Sequence, residues 1–108
     1  MKQYLFFGMC LIASPALAET CTFTLECYEG EACADTSYEI EIDLDNAQLI
    51  TPSGNIAVNI GGSPTLNVFA GFTQSAFHTM TRAKEGEARY SVHLFDGPQM
   101  VNYMGSCN

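Results

Sequence analysis

The sequence predicts an all-β protein, a small antiparallel sandwich or barrel of about seven to eight short strands held by disulfides. Three observations lead there. Apolar and polar residues alternate in short runs, most plainly in "SYEIEIDLD" over 37–45, where Glu39, Glu41, Asp43 and Asp45 fall on one parity and Tyr38, Ile40, Ile42 and Leu44 on the other. Turn-forming residues, among them nine glycines, interrupt the runs at close intervals, and no helical period survives between them. Of five cysteines, Cys10 lies in a leader-like segment, which leaves Cys21, Cys27, Cys33 and Cys107, an even number suited to a disulfide framework.

The first 18 residues read as an export signal: a basic Lys2, an apolar run from Leu5 to Ala13 too short to span a bilayer, Pro15, and then Ala16-Leu17-Ala18 in the A-x-A pattern of a signal-peptidase site. A lipoprotein signal is the competing reading at Cys10, but Met9 and Phe7 fit neither of the positions it constrains. Cleavage after Ala18 places the protein in the periplasm or outside the cell. It leaves a single domain over 19–108, 90 residues, large enough for a modest core. In that domain Arg82, Lys84 and Arg89 face 12 carboxylates, a net charge of −9. Nucleic acid and anionic lipid, which demand clustered cations, are unsuited as partners to such a surface, and a basic protein or peptide is suited to it.

The elements follow in order. "CTFTLEC" over 21–27 alternates as a half-buried strand does, which sets Cys21 and Cys27 about 20 Å apart and excludes a bond between them. Cys27–Cys33 with Cys21–Cys107 is the preferred pairing, and Cys21–Cys33 with Cys27–Cys107 is the alternative. An irregular "ADTS" precedes the acidic strand at about 38–44. "QLI" ends at "TPSGN", and "IAVNI" then puts Ile56, Val58 and Ile60 on one face. After "GGSP" the run "TLNVFA" aligns Leu66, Val68 and Ala70. "SAFHTMTRA", the turn "KEGE" and "ARYSVHLF" make a hairpin, and "DGP" leads into the final "QMVNYMGSC".

If Glu85 and Gly86 alone form the hairpin turn, Lys84 opposes Glu87, Arg82 opposes Arg89 and His78 opposes His93. Phe77, Thr79 and Thr81 then point inward with Tyr90, Val92 and Leu94, and the two histidines share the outer face with Met80. Two imidazoles beside a thioether are a candidate copper or zinc site, because neutral imidazole suits both ions and methionine favours Cu(I). A three-residue loop shifts the register and dissolves the pair. No G-x-S-x-G elbow, H-E-x-x-H helix or phosphate-cradling loop is present, so the chain reads as noncatalytic with no resident cofactor. The carboxylate row is the other candidate site, as a face for a cationic partner; its plainer reading is the solvated back of a strand whose Tyr38, Ile40, Ile42 and Leu44 are core.

The opening "ECTFTLECYEGEAC", the segment "GEARYSVHLFDGP" and the closing "YMGSC" resemble a group of small uncharacterised periplasmic proteins of alphaproteobacteria. That resemblance covers nearly all of 19–108 and implies no activity. Through "LECYEG" and the terminal cysteine the chain is more loosely similar to the periplasmic inhibitors of c-type lysozyme, which are also small β-barrels. The Ser- and Gly-rich inhibitory loop of those proteins, with its Lys and Tyr, has no counterpart here, so no inhibitory residue carries over. The sequence therefore predicts an exported, noncatalytic binding protein with an acidic face, with a His78–His93 metal protein as the alternative.

Overall fold

The computed structural model describes residues 18–97 and 99–108. The expected leader lies outside them, save for Ala18, whose backbone opens the first strand. Nine strands follow: β1 (Ala18–Tyr28), β2 (Ala34–Asp43), β3 (Gln48–Thr51), β4 (Gly54–Ala57), β5 (Asn59–Ser63), β6 (Leu66–Phe72), β7 (Ala76–Ala83), β8 (Glu87–Leu94) and β9 (Gln99–Cys107). They form one antiparallel sheet in the order β4-β3-β2-β1-β9-β8-β7-β6-β5, with no helix among the described residues. The last strand sits mid-sheet, paired with β1 on one side and β8 on the other.

The sheet curls into a nearly closed barrel rather than splitting into a sandwich. Its two edge strands, β4 and β5, are consecutive in the chain and joined by Val58 alone. Val58 buries its side chain while its amide donates to the Ala47 carbonyl at 3.0 Å. Just beyond it the direction changes, and the chain leaves β3 to pair with β6. At this corner the backbones of β4 and β6 approach so closely that a Cβ on Gly71 would collide with the Ala57 carbonyl, which is why glycine stands there. The expected single run through Ile56, Val58 and Ile60 is thus two strands. Ile56 is core, Ile60 is 41% exposed, and the strand count rises to nine.

Alternation fills the barrel interior. Cys21 and Phe23 from β1, Ile40 and Ile42 from β2, Leu49, Ile56, Phe69, Met80, Ala88 and Tyr90 make one buried cluster. Each large apolar side chain in it contributes about 2 kcal/mol by leaving water. "ADTS" belongs to β2, but the register slips within it: Thr36 and Ser37 oppose Thr24 alone, beyond which Asp35 pairs with Leu25 and Ala34 with Glu26. At the strand's other end Leu44, expected in the core, is 55% exposed. β2 stops at Asp43, whose carboxylate accepts from the Asn46 amide at 3.2 Å and from Asn46 Nδ2 at 2.8 Å, and this turns the chain before Leu44 can reach inside. On β6 the interior takes Phe69, not the Leu66–Val68–Ala70 face.

The β7–β8 hairpin departs most from expectation. Its loop has three residues, 84–86, with Gly86 at φ 108° and its amide donating to the Ala83 carbonyl at 2.9 Å. Every pair shifts by one: Arg82 opposes Ala88, so the two arginines no longer face each other, His78 opposes Val92, and His93 opposes Phe77. On β7 the inward face is Ala76, His78, Met80 and Arg82. Phe77 stands outside instead, its ring 4.6 Å from that of the exposed Phe72.

Both preferred disulfides are present. Cys21 and Cys107 are direct cross-strand partners on the inner face, and Cys27–Cys33 closes the β1–β2 connection. One end of the barrel is stoppered by Arg82, which donates from Nε to both Glu19 carboxylate oxygens, at 2.9 and 3.0 Å, and from its own Nη to the Ala83 carbonyl.

Candidate functional site

The end opposite that ion pair is open. From Arg82 to His78 β7 runs four residues, about 13 Å, and His78 enters the wall of a cavity of about 320 Å³. Three tyrosines from three strands furnish its aromatic side. Inward parity on β2 places Tyr38, on β8 Tyr90 and on β9 Tyr103. Their rings lie nearly parallel: Tyr38 and Tyr103 at 20° with centroids 5.0 Å apart, Tyr38 and Tyr90 at 11° and 6.2 Å, and His78 continues the pile against Tyr90 at 13° and 6.0 Å. Ile56, Val92 and Leu94 supply aliphatic wall, and Ser53, Asn55 and Ser75 stand at the exposed rim.

A hydrogen-bonded chain runs along the wall from β8 through β7 to the β6–β7 connection. Tyr90 Oη is 2.7 Å from His78 Nδ1, His78 Nε2 is 3.0 Å from Thr73 Oγ1, and Thr73 Oγ1 is 3.4 Å from the Ala76 carbonyl. Burial holds the His78 imidazole below its ordinary pKa, which favours the neutral ring. Burial also raises the Tyr90 phenol, helped by neighbouring Tyr38, and raises Tyr103, where the adjacent Glu26 carboxylate adds to the effect. All three side chains therefore stay uncharged around neutrality.

The expected metal pair is not assembled. His78 lies on the inner face and His93 on the outer, so the sheet itself stands between the two imidazoles. Met80, expected beside them on the surface, is fully buried in the core. No cluster of three or more His, Cys, Asp or Glu side chains placed to hold a metal occurs among the described residues.

The carboxylate row keeps its parity, but its members differ in what they do. Glu39 and Glu41 project from the outer face of β2 and border a shallow groove of about 250 Å³ with Thr20, Ile50, Thr51 and Pro52. Asp43 is occupied by the turn. Besides Asn46 it accepts from Gln48 Nε2 at 3.3 Å, and these hydrogen bonds, those from Asn46 foremost, lower its pKa. Asp45 lies in the turn itself, off the strand.

The tyrosine-lined mouth was not among the sites expected from sequence. Its local signs are the inward parities of Tyr90, Val92 and Leu94 in "ARYSVHLF" and of Tyr38 in "SYEIEIDLD"; the meeting of Tyr38, Tyr90 and Tyr103 depends on the pairing of β2 with β1, β1 with β9 and β9 with β8 across the whole chain. Compared with protein families, characterised proteins and solved structures, the chain matches none of them.

Proposed function

We propose that this is a noncatalytic exported binding protein that engages a cationic protein or peptide through the outer face of β2. The observation that carries the reading is the groove beside Glu39 and Glu41, where two carboxylates stand next to the aliphatic surface of Ile50 and Pro52. A lysine or arginine side chain needs both: apolar surface along its stem and an anion at its head. The net charge of −9 over 19–108 favours encounter with such a partner from a distance. The leader-like first 18 residues and the two disulfides support export, and the lack of a catalytic motif in the sequence supports a binding role.

The test is a titration with a lysine-rich peptide at low and at physiological salt. Replacing Glu39 and Glu41 by Gln should weaken binding about tenfold at low salt and flatten its salt dependence, with thermal stability unchanged. Equal affinity in the variant and the parent overturns the reading.

A further inference from the structure

We propose that the open end of the barrel is a binding site for a small uncharged aromatic compound bearing a hydroxyl or ring N–H, a phenol being the simplest case. The shape argues for a flat ligand. Four rings, His78, Tyr90, Tyr38 and Tyr103, stand within 29° of parallel wherever they adjoin, so a further ring entering the mouth can lie against them offset-stacked. A volume of about 320 Å³ lies at the small end of ligand cavities, whose range is roughly 300–1,000 Å³.

The chemistry of the lining argues for a neutral ligand. None of the side chains bordering the cavity is Asp, Glu, Lys or Arg. An aryl carboxylate would find no cation there and would enter a strongly anionic protein, and an ammonium would find no carboxylate in the lining itself, since Glu26, which interacts with Tyr103, is not part of it.

The hydrogen-bonded chain specifies which polar group the ligand must bring. We assign the tautomer in which the Thr73 hydroxyl gives its proton to the Ala76 carbonyl, 3.4 Å away and also the acceptor of the Thr73 amide at 2.9 Å. Thr73 Oγ1 then accepts from His78, which puts the imidazole proton on Nε2 and leaves Nδ1 as an acceptor. Tyr90 in turn gives its hydroxyl proton to Nδ1. At the end of this relay the Tyr90 oxygen retains lone pairs and has no proton left to offer. A ligand O–H or N–H satisfies it; an ether does not.

The probe is p-cresol, added to the full disulfide-bonded protein and followed by amide NMR, with 4-methylanisole as the isosteric ether, 4-methylbenzoate as the anion and methyl glucoside as a neutral sugar. p-Cresol should shift amides of Tyr38, His78, Tyr90 and Tyr103, with 4-methylanisole about tenfold weaker, the loss expected for one buried hydrogen bond, and benzoate and sugar inert. Tyr90→Phe should reduce p-cresol binding to the level of the ether. Asn55→Trp, at an exposed rim position that leaves the core untouched, should abolish binding by closing the mouth. The proposal is overturned by the absence of p-cresol shifts up to about 10 mM, well above the Kd expected for so small a ligand. Equal affinity for the ether, or preference for the glucoside, also overturns it.

Discussion

His78 shows how one register shift changes what a residue is for. On the outer face it would have been a free imidazole; on the inner face it links Tyr90 to Thr73. Burial lowers its pKa below the unfolded value near 6.5, so between the two values the unfolded chain binds more protons than the folded one. Stability from this group is present above about pH 6.5 and is lost as pH falls through the depressed folded value. Urea titrations at descending pH should therefore show the parent losing stability relative to His78→Gln, which keeps hydrogen-bonding capacity without an imidazole. Parallel curves would contradict that. On the alkaline side Tyr90 and Tyr103 hold their protons beyond the usual phenol range, so part of the phenolate absorbance should appear late and together with unfolding. Gly105 offers a steric test. A Cβ there would meet the Thr22 carbonyl and the Phe23 backbone on β1, so Gly105→Ala should lower the melting temperature by displacing the β1–β9 ladder beside the Cys21–Cys107 bond.

At the scale of elements, the sequence was legible where a strand's two faces differ in polarity and silent where they do not. β2 alternates acid with aliphatic from Tyr38 to Asp43, and Ile40 and Ile42 are buried as that pattern requires. In β7 both parities mix apolar with polar: Phe77, Thr79 and Thr81 on one, Ala76, His78, Met80 and Arg82 on the other. Alternation cannot choose between them, and the hairpin loop chose instead. "AKEGEA" fits a two- or a three-residue turn, and the left-handed Gly86 suits the longer one with its bulge. Gly86→Ala should therefore destabilise the protein by about 1–2 kcal/mol in a denaturant titration, because a side chain at that φ is strained and its Cβ would crowd the Cys107 carbonyl at 2.8 Å. Leu44 failed as core for a related reason: parity continued past Asp43, but the Asn46 hydrogen bonds ended the strand.

For the whole molecule, the cysteine count and strand spacing showed a stapled β domain, and elimination by distance left the observed pairing as the preferred one of two. Barrel closure was not legible, since nothing in "IAVNI" marks Val58 as the residue where the chain passes from one edge strand to the other. The two staples should not count equally. Their cysteines are 86 and 6 residues apart in sequence, and the chain-entropy model assigns them about 4.6 and about 2.2 kcal/mol respectively. Replacing Cys21 and Cys107 by Ser should thus lower the denaturation midpoint more than replacing Cys27 and Cys33; the reverse order would show that the short loop is the more strongly organised part of the fold. The position of β9 has a consequence in time. As the chain emerges from its N-terminus, β1 to β4 can form one meander and β5 to β8 another, yet β1 and β8 cannot meet, because the strand that belongs between them is made after both. Until it arrives the cylinder is an open ribbon with two long unsatisfied margins, and Cys21 waits for Cys107. β9 is therefore the keystone: the protein acquires an inside only when it slides between the two halves.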